Sequence, residues 1–219
     1  MKLLKKLLML STEVYNEPGI GKVFKNDTDY CEIIKEGSKL IVVFRGTENK
    51  KGWKSNFRCL DRNCNGIMDG FEDSFSALSN EILSYISEVS REVNEIICTG
   101  HSRGGVFAIQ CISILYSWRT FYDLPSDMGY SCIPFGAPRR VKKEQRNIFN
   151  RLPIWCTRVE TPGDPVANVP LKVQGYRKEG NILTLKLPWY LRLTGLPFVR
   201  AIQHSPKVYM KAIEYTERN

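Results

Sequence analysis

A serine between two glycines limits the possible folds of this chain more than any other feature. It lies at the point where a short apolar run ends and a long one begins. Residues 96–99 are apolar and β-branched, which predicts a buried strand, and residues 106–118 are apolar-rich, which predicts a helix. Between them lies Gly100-x-Ser102-x-Gly104. This spacing suits a sharp strand-to-helix turn, because side chains two positions either side of the centre would collide. The pattern predicts a turn that exposes the Ser102 hydroxyl.

The same pattern has a second interpretation, in which Ser102 is an ordinary helix N-cap. The flanking strand and helix favour the strained turn, since that arrangement also aims the first helical N–H groups at a developing anion. We therefore treat Ser102 as a candidate nucleophile.

Length and the order of segments predict the fold class. The 219 residues suffice for one α/β domain with a full core and are too few for two ordinary domains. Predicted strands are 30–34, 39–44, 96–99, 130–135, 154–159, 173–176 and 182–187, and predicted helices are 71–93, 106–118, 140–151 and 206–215. Strands that alternate with helices predict a single α/β domain over residues 1–219, with a mostly parallel central sheet and helices on both faces.

Composition argues against several classes of protein. There are 32 Lys and Arg against 23 Asp and Glu, a net charge of +9, but the basic residues are scattered and do not form a nucleic-acid arm. An anionic surface such as phospholipid and ordinary solvation both account for the charge. The seven cysteines show no repeated spacing and indicate no disulfide framework. Cys59 and Cys64 bracket a loop and are either a bridge under oxidising conditions or, the favoured interpretation, a free pair in a reducing compartment. With two histidines, neither beside a cysteine at finger-like spacing, no metal site is predicted.

The N-terminal segment resembles a secretion signal only superficially. Lys5 and Lys6 interrupt the apolar stretch and leave residues 7–10 unbroken, which is shorter than the core of about seven residues that a signal needs. Leucines on one helical face and lysines on the other predict an amphipathic helix over 1–16, packed on the domain or lying on a membrane surface. No run approaches the roughly 18 apolar residues of a membrane span. We expect no cleavable signal peptide and a cytoplasmic or peripherally membrane-associated protein.

Two stretches carry apolar side chains without a regular period. Residues 48–69 are otherwise polar and predict a lid, with a plain surface loop as the alternative. Residues 188–198 are apolar and aromatic, and are either a second interfacial loop or part of the core. The candidate substrate or interface residues in these stretches are Trp53, Phe57, Trp189, Tyr190 and Leu193.

A serine nucleophile needs a base that takes its proton. His101 adjoins Ser102, so its side chain should point away from the serine. Of the two histidines in the chain this leaves His204 as the base by elimination. A surface histidine before a helix is the alternative for His204.

An acid should orient the base, and in this fold it comes between the serine and the histidine in the chain. Asp164 meets that order in a Gly-Asp-Pro turn after a predicted strand, although Asp is also a common turn former. Asp123 and Asp127 precede a strand and lie at the wrong end of the sheet. Two N–H donors for an oxyanion are expected from Arg103 and from Thr47, where Gly46 lets the main chain approach the turn.

Five landmarks in order resemble those of the class 3 (fungal-type) lipases, which have the α/β-hydrolase fold. They are Val42-Val43-Phe44-Arg45-Gly46-Thr47, Thr99-Gly100-His101-Ser102-Arg103-Gly104-Gly105, Phe135-Gly136-Ala137-Pro138-Arg139, Asp164-Pro165-Val166 with Pro170, and His204. The resemblance covers the chain from about residue 30 onward. It implies a triad of Ser102, Asp164 and His204 with Thr47 as an oxyanion residue, and a lipid substrate at a membrane or emulsion surface.

Two departures from the family pattern stand out. Met68-Asp69-Gly70-Phe71 replaces the usual His-x-Gly-Phe, and Arg103 replaces the usual leucine, which would place a cation beside the acyl site and favour an anionic head group. The expected function is cleavage of phospholipid or acylglycerol esters through an acyl-enzyme, without metal or organic cofactor and with phospholipid slightly preferred. The alternatives are a soluble carboxylesterase or thioesterase, and a non-catalytic lipid-surface binding module.

Overall fold

The computed structural model describes residues 1–47, 69–192 and 202–219. In these residues seven strands form one sheet: β1 Lys22–Lys25, β2 Tyr30–Glu36, β3 Lys39–Phe44, β4 Glu95–His101, β5 Gly129–Phe135, β6 Trp155–Glu160 and β7 Asn181–Thr184. The helices are α1 Lys2–Glu13, α2 Asp69–Val89, α3 Arg103–Ser117, α4 Lys143–Phe149, α5 Trp189–Arg192 and α6 Pro206–Arg218. Short 3₁₀ turns lie at Val14–Asn16, Ser90–Glu92, Val166–Asn168 and Lys172–Gln174.

The spatial order of the strands follows their order in the chain. β1, β2 and β3 form an antiparallel meander, and β3 to β7 run parallel. Successive side chains of a strand point to opposite faces. Val42 and Cys98 therefore join the core under α2 and α3, whereas Ile41 and Ile97 join the core under α1 and α6. The predicted class, a mostly parallel sheet with helices on both faces, is confirmed.

The N-terminal helix belongs to one of these two cores. Leu7 and Leu8 are 0% exposed, and the Ser11 hydroxyl donates to the Leu7 carbonyl oxygen at 2.7 Å. The Ser11 Oγ also lies 3.4 Å from the Thr99 Oγ1 of β4. The apolar face of α1 is thus covered by the sheet. Among the described residues, no helix is both long and apolar enough to cross a membrane.

Two strand predictions differ from the structure. The strand expected at 173–176 is wrong: Lys172–Gln174 is a 3₁₀ turn that ends at Gly175 with φ +91°, and an isolated bridge joins Val141 to Arg177. Conversely β1, which pairs antiparallel with β2, was not predicted. Two of its four residues are lysines, so it carries no apolar run.

Candidate active site

Ser102 lies at a sharp turn between β4 and α3. Its φ of 60° and ψ of −124° are strained for a residue with a side chain. The Ser102 N–H donates to the Phe135 carbonyl oxygen at 2.8 Å, and the Gly105 N–H donates to the Ser102 carbonyl oxygen at 3.1 Å. Ser102 as a whole residue is 8% exposed, and the exposure of its hydroxyl stays a prediction. The turn is packed against neighbouring segments.

Close approach of main chains explains the two glycines. A Cβ on Gly100 would lie 2.4 Å from the Gly104 carbonyl carbon, and a Cβ on Gly104 would lie 2.2 Å from the Phe44 carbonyl oxygen. Both distances are shorter than any tolerable carbon contact. The first turn of α3 therefore touches the end of β3, and any side chain at these positions would separate the two.

The segment after β3 lies against the same turn. A Cβ on Gly46 would be 2.7 Å from the His101 carbonyl oxygen and 2.1 Å from the Tyr15 hydroxyl. Thr47, the next residue, is partly buried and also has a partner. The structure therefore brings the main chain at Thr47 and the Arg103 N–H, at the start of α3, to the same edge of the sheet.

His204 lies in the turn before α6, with Ser205 as the N-cap and Pro206 at the first helical position. The imidazole Nδ1 lies 2.9 Å from the Asp164 Oδ2, and His204 is 7% exposed. Because a carboxylate oxygen can only accept, Nδ1 carries the hydrogen of the neutral ring. Nε2 is then the basic nitrogen of His204.

Asp164 is fully buried and holds its charge through hydrogen bonds. Its Oδ1 accepts from the main-chain N–H groups of Val166 at 2.8 Å and Ala167 at 3.4 Å. Its Oδ2 accepts from His204 and from the Tyr209 hydroxyl at 2.6 Å. Burial by itself raises the pKa of Asp164, but the hydrogen bonds outweigh it and the pKa is lowered. The carboxyl group is therefore a carboxylate at neutral pH.

Tyr209 was not among the residues predicted for the site. It is 0% exposed, and burial together with the Asp164 charge raises the pKa of its hydroxyl well above the usual value. The phenol therefore remains protonated and donates. Tyr209 follows His204 by five positions, and no local sequence pattern distinguishes it from the other apolar positions of α6.

His101 also contacts the predicted base. Its ring stacks on that of His204, with centroids 4.5 Å apart and planes 31° apart, and its Nε2 donates to the His204 carbonyl oxygen at 2.8 Å. Burial and the neighbouring His204 lower the pKa of His101 to about 3, so its ring is neutral. Because His101 adjoins Ser102 in the chain, its stack with His204 places the His204 ring beside the turn.

The side chain of Arg103 does not provide a free cation. Its guanidinium lies 2.7 Å from the Asp29 Oδ1, with both side chains under a tenth exposed, and it stacks over the Phe107 ring at 4.7 Å. Burial lowers the pKa of Arg103 while the Asp29 charge opposes that shift. The expected cation beside the acyl site is therefore compensated by Asp29. The Asp123 alternative lies elsewhere, in an exposed ion pair with Arg91.

The remaining predicted residues divide into two groups. Trp189 and Tyr190 are 72% and 52% exposed on α5, with ring centroids 6.0 Å apart. α5 adjoins the histidine segment, because the Gln203 Nε2 donates to the Leu191 carbonyl oxygen at 3.4 Å. The predicted lid at 48–69 lies outside the described residues except for its last residue, Asp69, which begins α2. Further predictions outside the described residues are Trp53, Phe57, Leu193 and the pair Cys59 and Cys64. Among the described cysteines, Cys98, Cys111 and Cys132 are free and buried.

Comparisons with known proteins agree on one family. The model of the class 3 lipases matches residues 41–174. The secreted mono- and diacylglycerol lipase 1 of Fusarium solani is 25% identical over 177 residues, which cover 78% of this chain and 49% of the relative. The chain therefore spans about half the length of this curated relative.

Solved lipases share the fold. A triacylglycerol lipase described as having a serine protease triad superposes with a TM-score of 0.69 at 20% identity, over 84% of this chain and 80% of that one. The lipase of Rhizopus microsporus var. chinensis gives 0.69 at 19% identity, over 86% and 77%. A fungal lipase–inhibitor complex that models interfacial activation gives 0.70 at 20% identity, over 84% and 79%. The sheet is thus that of the α/β-hydrolases.

The expectation of a cytoplasmic protein is overturned by these findings, since the curated relative is a secreted lipase. The expectation rested on the first ten residues. These form α1, whose Leu7 and Leu8 are buried in the fold, so their sequence reflects packing and carries no information on location.

The matched segment contains the β3 end, the serine turn and the Asp164 loop, and covers more than half of the chain. The chain belongs to the class 3 lipase family.

Proposed function

We propose that this chain is a serine hydrolase that cleaves acyl esters of lipids through an acyl-enzyme. The observation that carries the proposal is the buried hydrogen bond between His204 Nδ1 and Asp164 Oδ2, held beside the strained Ser102 turn by the His101 stack. A base fixed in one tautomer next to a serine is the arrangement that acyl transfer needs.

In the proposed first step, the Ser102 Oγ attacks the ester carbonyl carbon while His204 Nε2 takes the hydroxyl proton. The N–H groups of Thr47 and Arg103 stabilise the oxyanion, a contribution of about 10²–10³ in rate for one donor. When the carbon–oxygen bond to the leaving alcohol breaks, His204 returns the proton to that oxygen. Water then attacks the acyl-enzyme with His204 again as base, releasing the fatty acid and restoring Ser102.

Asp164 keeps His204 in the productive tautomer throughout this cycle. Its carboxylate stabilises the imidazolium that forms when His204 takes a proton, and remains charged because hydrogen bonds lower its pKa. Tyr209 and the Val166 N–H hold the carboxylate in place. The fully buried position of Asp164 strengthens these interactions.

We propose acylglycerols as the first substrates to test and phospholipids as the second. The Fusarium relative is a mono- and diacylglycerol lipase, and the argument for an anionic head group is weakened because Asp29 compensates Arg103. The low exposure of Ser102 and the exposed rings of Trp189 and Tyr190 support activity that rises at a lipid surface. The secreted relative supports action outside the cell.

Hydrolysis of a mixed mono- and diacylglycerol emulsion, with phosphatidylcholine vesicles in parallel, tests the proposal. We expect fatty-acid release that falls by several orders of magnitude in Ser102→Ala. Ser113→Ala is the matched control, because among the described residues the Ser113 hydroxyl bonds only within α3, to the Ile109 carbonyl oxygen. No release by the parent protein from any ester would contradict the proposal and favour a binding module.

A short-chain ester separates a lipase from a soluble esterase. We expect the rate to increase when the ester concentration passes its solubility limit and droplets form. A rate that saturates below that limit would instead identify a soluble carboxylesterase or thioesterase.

A further inference from the structure

Two segments that follow neighbouring strands form one strongly basic surface. Residues 139–143, after β5, and 171–178, after the Asp164 turn, contain seven Lys and Arg and no Asp or Glu. The bridge between Val141 and Arg177 joins the segments. Lys142 Nζ also donates to the Gln174 carbonyl oxygen at 3.0 Å and lies 4.1 Å from the Tyr176 ring centroid. The cations are thus held on a common scaffold.

Most of this charge is not compensated. Arg140 and Lys178 pair with the buried carboxylates of Glu179 at 2.9 Å and Glu160 at 2.5 Å. The other five cations make no ion pair with a carboxylate among the described residues; they are Arg139, Lys142, Lys143, Lys172 and Arg177. Glu144, exposed in the first turn of α4, offsets part of their charge.

The hydrogen bonds of these cations go to neutral groups. Arg139 donates to the carbonyl oxygens of Asn168 and Pro170, the latter at 2.9 Å. Arg177 donates to the carbonyl oxygens of Lys172 at 2.8 Å and Tyr176 at 2.9 Å. A carbonyl oxygen orients a guanidinium without cancelling its charge, so the surface keeps a positive potential.

This basic surface also carries exposed aliphatic side chains at Leu171 and Val173, which we call the tip. On the 3₁₀ turn that contains Lys172, Val173 is 87% exposed, and Leu171 immediately before the turn is 55% exposed. Aliphatic side chains among cations are the composition of peripheral membrane sites, where the apolar groups enter the interface and the cations meet lipid phosphates.

The tip is rigidly connected to the candidate active site. Arg139 binds Asn168 and Pro170, and the Asn168 Nδ2 donates to the Asp164 carbonyl oxygen at 2.9 Å. Arg139 follows the carboxyl end of β5, and Asp164 follows that of the parallel neighbour β6. The bond from Arg139 to Pro170 therefore holds the start of the tip near the carboxyl edge that carries Asp164. A membrane contact at the tip would therefore bring that edge to the lipid.

We propose that the five uncompensated cations and the Leu171–Val173 tip form a docking surface for anionic phospholipid membranes. The inference goes beyond the proposed hydrolysis, since docking requires no turnover. Binding is therefore measured on Ser102→Ala protein, so that failure of docking and failure of hydrolysis are seen in separate experiments.

The experiment is co-sedimentation of the full Ser102→Ala chain with vesicles of phosphatidylcholine alone or mixed with phosphatidylglycerol. Binding is expected only to the mixed vesicles, and salt should weaken it. Lys142→Glu with Lys172→Glu should lower the partition coefficient by at least about 25-fold, since each lost basic residue contributes about fivefold and the added carboxylates repel anionic lipid. Leu171→Ser with Val173→Ser should remove the binding that persists at high salt.

Lys22→Glu with Lys211→Glu is the matched control, because it changes the net charge equally at exposed lysines outside the surface. It should retain most of the binding. An equal loss in this control, or no loss in the Lys142/Lys172 variant, would overturn the proposal. Failure of the Ser102→Ala protein to bind mixed vesicles would also overturn the proposal. Release of the bound protein by free glycerol phosphate would overturn it as well, because that result indicates a site for a soluble head group. Thermal melting of each variant shows whether it folds. If the Lys142/Lys172 variant has lost its fold, the Leu171/Val173 variant decides the outcome.

Discussion

Replacement of Tyr209 by Phe tests how the buried carboxylate is held. The change removes one hydroxyl donor, 2.6 Å from the Asp164 Oδ2, and leaves the ring in place. A hydrogen bond to a charged group contributes about 1.5–3 kcal/mol. Asp164 keeps His204 and two main-chain N–H donors, so the lower part of that range, about 1.5–2 kcal/mol of folding free energy, is expected.

The pH dependence of this loss follows from the direction of the pKa shift. The pKa of Asp164 is lowered in the folded protein, so its hydrogen bonds stabilise the fold above the ordinary Asp pKa and lose that effect as the pH falls through the folded pKa. The stability difference between parent and Tyr209→Phe should therefore be full at neutral pH and shrink in acid. Activity should also fall about tenfold in kcat at nearly constant KM, because Tyr209 is 0% exposed and acts through its hydrogen bond to Asp164.

Urea unfolding at several pH values and kinetics on a soluble short-chain ester measure these effects. Tyr130→Phe is the control, since the Tyr130 hydroxyl is buried without a hydrogen-bond partner among the described residues. It should be neutral or stabilising. A Tyr209→Phe protein as stable as Tyr130→Phe, or a rise in KM with unchanged kcat, would refute the role assigned to the Tyr209 hydroxyl.

Three further changes test other parts of the account. The pKa of His101 is about 3 in the fold against 6.5 ordinarily, so the folded state binds fewer protons than the unfolded state between these values. The contribution of His101 to stability should fall by about 1.6 kcal/mol from pH 6.5 to 5, and His101→Asn should flatten that slope in urea titrations. An unchanged slope would contradict burial of a neutral ring. Gly100→Ala puts a methyl group 2.4 Å from the α3 main chain and should lower the melting temperature severely. Gly129→Ala, whose methyl group would have its nearest atom at 3.4 Å, should not. Equal melting temperatures of the two variants would refute the steric argument. Arg103→Leu leaves Asp29 buried without its ion-pair partner and should lower the free energy of unfolding by about 3–5 kcal/mol. Adding Asp29→Asn should restore part of that loss. An Arg103→Leu protein as stable as the parent would show that the pair is not buried in solution.

Local patterns carried most of the fold prediction. The β2–β3 hairpin, the β4–turn–α3 unit and the alternation of later strands and helices are encoded by periodicity and by glycines with short-range steric reasons. β1 was missed because its pairing with β2, not its own composition, makes it a strand. The strand expected at 173–176 failed because Gly175 turns the chain and no neighbouring strand accepts it.

The site was only partly accessible from sequence. Residue order was enough to select Asp164 and His204, whose side chains lie in contact, while their catalytic roles stay a proposal. The contacts of Tyr209 and His101 depend on how α6 packs against the end of the sheet, which no local pattern encodes. The partner of Arg103 was hidden for the same reason, since Asp29 lies far away in the chain.

In the proposed mechanism, Ser102 attacks an acyl group with the help of His204. Intact-mass and peptide-mapping analysis after exposure to a fluorophosphonate measures this directly, because that reagent forms a stable bond only with an activated hydroxyl. We predict one adduct, located on Ser102, retained in Ser113→Ala and formed orders of magnitude more slowly in His204→Ala. An adduct on a different residue, or an unmodified Ser102 after prolonged exposure in the presence of a lipid surface, would contradict the account.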